Sequence, residues 1–532
     1  MKLLSVEEMR AVEEKANQGG LSYEKMMENA GNGLAEVVFS RYGAIGDTST
    51  VGLVGSGNNG GDTLVALTRL AEAGWEAKAY LVRPRDGGDN LVAGFLKAGG
   101  ELINGAEDPK RKQLAAWLRS TTVVLDGVLG TGIKLPLRGE VAEVLKTVKS
   151  SHFLPHIVAV DCPSGVDCAT GEVAEETIPA ELTVCMEAVK SGLMSFPAFA
   201  LCGEIVTVGI GVAEKLDQKM VIDADMVSAW LPARPMDAHK GTFGTALVVA
   251  GSVNFPGAAL LASRAAYRMG TGLVTCGAIA ALQQALAGQI PEATWLMLPG
   301  EMGVISQKAA EIIHRNLDRV TALLIGPGFG QEETTAQFIR ALFEPATPAR
   351  RAGIGFVVAA EKEKEPEKKG SHLPPLVIDA DGLKLLSKLD QWWKLLPENS
   401  ILTPHPGEMS ILSGLDVKEI QNARTQTAQN LANQWGQVVV LKGALTVIAE
   451  PNGRLGVIPV AHPALARAGS GDVLAGMITG LRAQGLGAYE AAAAGAWIHA
   501  QAGVLAAEKV GHSASVLAGD ILETIPEVLS EL

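Results

Sequence analysis

The chain has few charged residues and few cysteines for its length of 532 residues. Charged side chains make up 19% of the sequence and give a formal net charge of −13, which excludes a general nucleic-acid binder, because phosphate backbones require clustered Lys and Arg. The five cysteines are odd in number and show neither CxxC nor metal-ligand spacing. We therefore expect reduced cysteines in a cytoplasmic protein.

Long apolar runs are also lacking. The longest, such as residues 246–250 and 257–262, are bounded by Gly, Ser, Asn or Pro well short of a membrane span. The amino terminus has no apolar signal region, and Ser5 with Glu8 forms the pattern of a capping box that opens a helix. We expect small molecules as partners, with no nucleic acid and no membrane, and a homo-oligomer as the assembled state.

Strand-like apolar runs alternate with helical patterns along the chain, which is typical of α/β folds with mostly parallel sheets. At this length one hydrophobic core does not suffice, so at least two domains are expected. The helical and strand periodicity breaks at residues 231–235, and we place the junction near residues 214–224, which gives domains at 1–216 and 220–532. The densely charged segment at 344–375 cannot bury a core and is predicted to be a flexible, solvated excursion.

The most informative motif is Gly-Ser-Gly-Asn-Asn-Gly-Gly-Asp at residues 55–62, which follows an apolar run at 51–54. A strand, a glycine-rich turn and a helix start together expose N–H groups to a phosphate. The glycine spacing also fits an ordinary dinucleotide fingerprint, which needs an acidic residue after the second strand, where this chain has Arg83 and Arg85. A plain NAD-dependent dehydrogenase is therefore disfavoured. The oxygen-bearing side chains of the turn suit a cation as well as a phosphate.

Three further polar loops follow strand ends in the first half, at residues 126–132, 161–167 and 187–192. Each loop alone fits a structural turn or a helix cap as well as a binding loop. Ligands collect at the carboxyl ends of strands in open α/β sheets. Four polar loops at one sheet edge therefore predict a ligand site.

These loops resemble the hallmarks of the NAD(P)H-hydrate epimerase family over about the first 215 residues: an Asn-Asn-Gly-Gly-Asp turn, an Asp-x-x-x-Gly-Thr-Gly loop and an Asp-x-Pro-Ser-Gly loop. The resemblance implies a K⁺ ion held by Asn59, Asp126 and Ser164, and a large monovalent cation does take oxygen ligands of these kinds. It implies Asp161 and Lys190 as acid/base residues that invert the hydroxylated ring carbon. The residues implied to bind the hydrated dinucleotide are Asn58, Asn59, Gly60, Gly61, Asp62, Gly130, Thr131, Gly132, Ile133, Lys134, Leu135, Pro136 and Asp161.

The strongest motif of the second half is Ala-Gly-Ser-Gly-Asp-Val-Leu-Ala-Gly at residues 468–476. Glycines at a helix start offer N–H donors to a transferring phosphoryl group, and Asp472 can take the proton of an acceptor hydroxyl. The alternative is an aspartate that only caps the helix. The sequence contains no Walker motif that would offer a second phosphate-binding loop.

Other polar residues of the second half keep two interpretations each. Lys442 ends a strand and suits either a nucleotide phosphate or a solvated turn. His405, fixed between prolines, is either structural or presented to a substrate. Asp379 and Asp381 either cap the next helix or face the site.

Together these motifs resemble the ribokinase-like superfamily and, within it, the NAD(P)H-hydrate dehydratase family, from about residue 222 to residue 532 apart from the charged excursion. The resemblance implies Asp472 as the catalytic base and ADP as co-substrate, with Mg²⁺. Phe329 stands where a smaller aliphatic residue is common. The residues implied to bind the hydrated dinucleotide are Ala258, Gly330, His405 and Asp472, and those implied to bind ADP are Lys442, Gly443, Ala444, Leu445, Thr446 and Gly471.

The two resemblances predict one bifunctional enzyme that repairs hydrated NADH and NADPH. Hydration of the nicotinamide ring gives R and S epimers, so an epimerase joined to a dehydratase specific for the S hydrate repairs the whole pool through a phosphorylated intermediate. One alternative is a ribokinase-like vitamin or sugar kinase with a regulatory, dinucleotide-binding first domain. Another alternative is that the first half is a binding or scaffold module without catalytic turnover. Against this alternative, the chain keeps all four polar residues of the resemblance: Asn59, Asp126, Asp161 and Ser164.

Overall fold

The computed structural model describes residues 1–45, 48–85, 88–151, 155–213, 218–344 and 373–532. The chain divides into two compact units, Met1–Val221 and Ile222–Leu532. The first unit thus extends beyond residue 216 and includes residue 220, the start of the predicted second domain. The charged excursion predicted at 344–375 lies, for residues 345–372, outside the described residues.

Ten described strands and six described α-helices form the first unit. The strands are β1 Leu3–Leu4, β2 Ser49–Val54, β3 Glu76–Leu81, β4 Glu101–Asn104, β5 Val123–Gly127, β6 His156–Val160, β7 Leu182–Met186, β8 Val189–Lys190, β9 Glu204–Val208 and β10 Lys219–Val221. The helices are α1 Val6–Gln18, α2 Tyr23–Tyr42, α3 Asn58–Glu72, α4 Asn90–Lys97, α5 Lys112–Leu118 and α6 Glu140–Lys149.

The main sheet of the first unit has the strand order β4-β3-β2-β5-β6-β7-β9, and its neighbours pair in parallel. Successive residues of β5 point to opposite faces, so Val123 and Leu125 join the core on one side and Val124 the core on the other. The strand order reverses between β2 and β5. Ligands bind at such a switch point in open α/β sheets, beyond the carboxyl ends of the strands.

Helix α1 begins as the sequence predicts. Ser5 Oγ accepts from Glu8 N at 3.1 Å and Glu8 Oε2 accepts from Ser5 N at 2.8 Å, which completes the capping box. The predicted loop at 187–192 is only partly a loop, because Val189–Lys190 forms β8 and pairs in parallel with β1. This pairing places α1, which follows β1, beside the loops of the switch point.

Eleven described strands and twelve described α-helices form the second unit. The strands are β11 Thr245–Val249, β12 Leu273–Ala278, β13 Thr294–Met297, β14 Gly300–Glu301, β15 Val304–Ile305, β16 Ala322–Ile325, β17 Leu376–Ile378, β18 Ile401–Leu402, β19 Val438–Leu441, β20 Val447–Ala449 and β21 Leu455–Val457. The helices are α7 Ala224–Trp230, α8 Pro256–Arg268, α9 Ala280–Leu286, α10 Ala309–Arg315, α11 Glu333–Phe343, α12 Asp381–Leu386, α13 Pro406–Ser413, α14 Val417–Asn422, α15 Arg424–Trp435, α16 Ser470–Ala483, α17 Ala488–Val510 and α18 Ala518–Ser530.

The large sheet of the second unit runs β21-β20-β19-β18-β17-β16-β11-β12-β13. It is parallel from β13 to β19 and antiparallel between β19, β20 and β21. Helix α16 lies against α8 so closely that a Cβ on Gly476 would be 2.2 Å from the Ala262 carbonyl oxygen. The predicted α/β class is confirmed. Among the described residues, we find no helix long and apolar enough to cross a membrane.

Candidate active sites

The glycine-rich motif of the first unit lies at the switch point, where α3 follows β2. The predicted turn at residues 58–62 is instead the beginning of this helix, because Gly57 takes an extended conformation and ends the loop there. A Cβ on Gly60 would lie 2.0 Å from the Gly55 carbonyl oxygen, so only glycine allows this approach of helix to loop. The helix start therefore points its free N–H groups at the sheet edge.

Asn59, Asp126 and Ser164 come together at this edge. Asp126 Oδ2 accepts from Ser164 N at 2.8 Å, and Ser164 Oγ accepts from Leu129 N at 2.9 Å. Asn59 Nδ2 donates to the carbonyl oxygens of Val160 at 2.6 Å and Leu129 at 3.2 Å. The three predicted cation ligands are thus joined through the loops that follow β5 and β6.

Asp126 is a fully buried carboxylate, and its Oδ1 has no hydrogen-bond partner among the described residues. Burial raises the pKa of Asp126, although hydrogen bonds from Ser164 act in the opposite direction. A buried, unpaired carboxylate oxygen is costly unless a cation compensates it. The described residues contain no group of three or more His, Cys, Asp and Glu side chains suited to a metal ion. The mixed oxygen set fits K⁺ better than a transition metal.

Asp161 and Lys190 form a buried ion pair. Lys190 Nζ donates to Asp161 Oδ1 and, at 3.1 Å, to the Met186 carbonyl oxygen. Asp161 Oδ1 also accepts from Met186 N at 3.0 Å, which leaves Oδ2 without a partner among the described residues. Burial alone would lower the pKa of Lys190, but the charge of Asp161 outweighs it and the pKa is raised. Lys190 therefore stays a cation that holds Asp161 in place.

A cavity of 430 Å³ opens between these groups and α1. Of the predicted dinucleotide-binding residues, Gly60, Gly61, Lys134, Leu135 and Pro136 do not line it. Arg10 and Glu13 of α1 do line it, and sequence reasoning missed both, because on a capped amphipathic helix they look like ordinary solvent-facing charges. The predicted residues that line the cavity are Asn58, Asn59, Asp62, Gly130, Thr131, Gly132, Ile133, Asp161 and Lys190.

Asp472 of the second unit lies in the first turn of α16, after Gly469 in the left-handed region at φ +88°. Burial first, and then the charge of Asp379, raise the pKa of Asp472 to about 7, while Lys442 acts in the opposite direction. Ser470 Oγ donates hydrogen bonds to the carbonyl oxygens of Leu465 and Arg467, both at 2.9 Å. The serine thus shapes the turn, and Asp472 is the titrating group at the helix start.

Lys442 is paired with Asp379 and lies near Glu408. Its Nζ is 2.5 Å from Asp379 Oδ1 and 3.8 Å from Glu408 Oε2. Asp379 Oδ1 also accepts from Thr403 Oγ1 at 2.7 Å. Burial lowers the pKa of Lys442, but the charges of Asp379 and Glu408 exceed this effect and raise it. Asp379 thus bonds Lys442 and Thr403, while α12 begins without a side-chain cap.

His405 is the N-cap of α13. Its Nδ1 accepts from Gly407 N at 3.0 Å and from Glu408 N at 3.2 Å. Burial lowers the pKa of His405, although Glu408 acts in the opposite direction. Since Nδ1 accepts, the proton of the neutral ring lies on Nε2, which is 3.3 Å from Glu408 Oε1.

The loop of residues 326–330 follows β16 and is fixed by Asp381. Asp381 Oδ2 accepts from Gly330 N at 3.0 Å. A Cβ on Gly328 would lie 2.8 Å from the Cβ of Ala258, so the alanine gives the loop room to approach α8. Phe329 is buried, with its ring 5.7 Å from the ring of Phe338 in an edge-on contact, so its bulk lies in the core.

Arg424 supports the turn that follows Lys442, and sequence reasoning missed it. Its Nη2 donates to the carbonyl oxygens of Leu441 at 2.8 Å and Lys442 at 3.2 Å. Burial lowers the pKa of Arg424 to about 10. Gly443 and Leu445 take positive φ angles, and Thr446 Oγ1 closes the turn by donating to the Gly443 carbonyl oxygen at 2.9 Å.

Comparisons with known proteins match both units. The family model described as NAD(P)H-hydrate dehydratase matches residues 246–527, and the model described as YjeF-related protein N-terminus matches residues 23–192. The bifunctional NAD(P)H-hydrate repair enzyme Nnr of Moorella thermoacetica is 35% identical over 521 residues, which cover 95% of this chain and 92% of that protein. This chain belongs to the family of bifunctional NAD(P)H-hydrate repair enzymes.

Other members of the NAD(P)H-hydrate repair family align over the full chain. The enzyme of Thermofilum pendens is 32% identical over 549 residues, which cover 100% of this chain and 97% of that protein. Among solved structures, the ADP/ATP-dependent NAD(P)H-hydrate dehydratase of Bacillus subtilis, co-crystallised with ATP/Mg2+, is 30% identical and has a TM-score of 0.46. The aligned region covers 58% of this chain and 98% of the Bacillus subtilis chain. The predicted family resemblance is confirmed, whereas the roles of single residues stay predictions.

Proposed function

We propose that the first unit interconverts the R and S hydrates of NADH and NADPH, and that the second unit dehydrates the S hydrate with ADP through a phosphorylated intermediate. The observation that carries this proposal is the 35% identity to a bifunctional repair enzyme over 95% of the chain, because it spans both sites. The two sites have complementary chemistry, since one offers an ion-paired carboxylate and the other a titrating aspartate at a helix start.

In the first unit, Asp161 is the proposed acid/base residue for the oxygen bound to the hydroxylated ring carbon, on one face of the ring. Its Oδ2 is free, while Oδ1 is held by Lys190 and Met186 N. Lys190, itself a buried cation, holds this carboxyl group in orientation. The N–H groups at the start of α3 would bind the dinucleotide phosphates.

Asn59, Asp126 and Ser164 would hold K⁺ in the first unit. The ion supplies a positive charge that neutralises the buried Asp126 and links the loops after β5 and β6. The unpartnered Asp126 Oδ1 supports this assignment. The residues that face the dinucleotide, Gly130 and Asp161, belong to the same two loops, so ion binding and substrate binding are coupled in this proposal.

In the second unit, Asp472 takes the proton of the substrate hydroxyl while that oxygen attacks the terminal phosphate of the nucleotide. The N–H of Gly471 and the charge of Lys442 stabilise the transferring phosphoryl group. Phosphate then leaves the ring carbon as the ring nitrogen donates its electron pair, and this elimination restores NADH or NADPH. The proposed contacts of the hydrate are Ala258, Gly330, His405 and Asp472, and those of the nucleotide are Lys442, Gly443, Ala444, Leu445, Thr446 and Gly471.

Mg²⁺ would enter the second site with the nucleotide. Asp379, Asp381 and Glu408 are already bonded to Lys442, Gly330 and His405, respectively. Mg²⁺ is commonly held by one or two carboxylates together with substrate phosphates and water, which suits a site without a preformed cage.

The proposal is tested by incubating hydrated NADPH with the enzyme and ADP or ATP. Recovery of reduced-nicotinamide absorbance with release of orthophosphate supports it. A phosphorylated product that persists would favour a vitamin or sugar kinase instead. The cytoplasmic location and the homo-oligomeric state stay predictions.

A further inference from the structure

Inversion at the hydroxylated ring carbon requires two proton transfers, and the Asp161–Lys190 pair accounts for only one. The departing hydroxyl needs a proton on one face of the ring, and the incoming water must lose a proton on the other face. This inference rests on the proposed epimerase function of the first unit. It concerns the group that serves the second face.

Two further carboxyl groups, Asp62 of α3 and Glu13 of α1, line the same cavity. Asp62 is 7% exposed. In the described part of the chain, neither carboxyl group accepts a hydrogen bond or forms an ion pair, which is unusual for Asp62 because it is buried. An unpaired polar group that reaches a cavity is available to a ligand there.

The surroundings of the two groups raise both of their pKa values, that of Asp62 more strongly. Burial, and then the charges of Asp161 and Glu13, raise the pKa of Asp62 well above its usual range, while Lys190 acts in the opposite direction. Burial also raises the pKa of Glu13, but Lys190 and Arg10 lower it, and Asp161 adds to the increase. Asp62 is thus the group that binds its proton more tightly, and the charge of Glu13 contributes to this. Paired carboxyl groups with separated pKa values are a common source of an acid and a base.

We propose that Asp62 and Glu13 form the second proton-transfer pair of the epimerase site, in which Asp62 is the catalytic acid and Glu13 is the positioning residue that resupplies its proton. The C–O bond of one epimer breaks with its electrons going to oxygen, which takes the proton of Asp62 and leaves as water. The ring nitrogen provides the electron pair for a C=N bond. Water then adds to the opposite face, the nitrogen regains its pair, and Asp161 takes the proton of the added water. Glu13, half-exposed, passes a solvent proton back to Asp62, and the Asp161 proton returns to solvent.

The test uses the full chain and a mixture of both epimers with ADP. Recovery of reduced-nicotinamide absorbance should have two phases: dehydration of the S epimer, and then conversion of the R epimer at the rate of the first unit. We expect Asp62→Asn to slow the second phase by about a hundredfold and Glu13→Gln by about tenfold, with the first phase unchanged. Glu13→Asp, which keeps the carboxylate, should recover most of the second phase.

The matched control is Glu14→Gln, because Glu14 is the next residue on α1 but is exposed. Among the described residues, it accepts a hydrogen bond only from Gln18 Nε2, at 3.4 Å. It should leave both phases unchanged. Since Asp62 acts as an acid among Arg10, Glu13, Asp161 and Lys190, the second-phase kcat should fall as pH rises, and Asp62→Asn should remove this fall. A wild-type rate in Asp62→Asn or in Glu13→Gln overturns the pair but leaves the epimerase function standing. A wild-type second phase no faster than spontaneous epimerisation overturns both.

Discussion

Lys442 Nζ lies 2.5 Å from Asp379 Oδ1, so the lysine proposed to contact the nucleotide already forms an ion pair with the aspartate that follows β17. Thr403, after β18, donates to the same oxygen at 2.7 Å. Three neighbouring strand ends are therefore tied together at one atom. This arrangement keeps the ammonium group charged and fixed before a phosphate arrives.

Lys442→Met should destabilise the second unit, because it leaves Asp379 as a buried charge without a cation. Removal of one partner of a buried pair costs about 3 kcal/mol in the free energy of unfolding. Denaturant unfolding measures this loss, and the double variant Lys442→Met/Asp379→Asn should regain part of it. Lys388→Met, at an exposed lysine, is the matched control and should unfold like wild type. A double variant no more stable than the single one contradicts the account.

Asp472→Asn should lower the rate of dehydration by about a hundredfold or more, the scale of a lost general base. Because the base acts deprotonated and the pKa of Asp472 is about 7, wild-type kcat/KM should rise with pH through about 7 and then level off. The variant should lack this rise. Near-normal turnover in the variant would reject Asp472 as the base.

The same substitution should affect stability in a pH-dependent way. The pKa of Asp472 is raised from 3.8 in an unfolded chain to about 7, so its stabilising contribution is complete below pH 3.8 and is lost as pH rises through about 7. Asp472→Asn should therefore raise the melting temperature relative to wild type more at pH 8 than at pH 5. An equal change at both pH values would contradict the raised pKa.

The central strands of both sheets could be predicted because they are continuous apolar runs, buried on both faces. β4 and β13 give a weaker signal, because they are edge strands in which residues such as Glu101 and Thr294 are exposed. β18 has only two residues, too few for any pattern.

The site residues divide in a similar way. Asn59, Asp126 and Asp472 follow strands or open helices within glycine-rich motifs, so their sequence context marks them. Glu13 and Arg424 belong to helices and have the composition of ordinary surface positions. Only the packing of α1 against the switch point and of α15 against β19 brings them to the sites.

Gly60→Ala should disrupt the start of α3, whereas Gly57→Ala should not. A Cβ at Gly60 would be 2.0 Å from the Gly55 carbonyl oxygen, while at Gly57 it would meet nothing within 4 Å. We expect Gly60→Ala to cost about 1–3 kcal/mol in the free energy of unfolding, as overpacking does, and to abolish epimerisation. Denaturant unfolding and epimer interconversion measure the two effects. Equal behaviour of the two variants would refute the close approach.

Potassium should stabilise the first unit through Asp126. K⁺ should raise the melting temperature of wild type above its value in Li⁺ at equal ionic strength, and Asp126→Asn should abolish the difference, because the uncompensated charge is gone. Crystals soaked in thallium or rubidium should show an anomalous peak among Asn59, Asp126 and Ser164. Absence of any peak at these residues would reject the cation site.

The central claim is that one chain carries two separate activities, and complementation between two full-length variants tests it most directly. Asp472→Asn alone should restore absorbance from a mixture of epimers with ADP at least about a hundredfold more slowly than wild type. Asp161→Asn alone should consume the S epimer quickly and leave the R epimer to its spontaneous rate. The two variants mixed should recover the whole pool at an enzymatic rate, because each supplies the activity that the other lacks. If Asp161→Asn consumed both epimers equally fast, or if the mixture left the R epimer behind, the division of labour between the two units would be wrong.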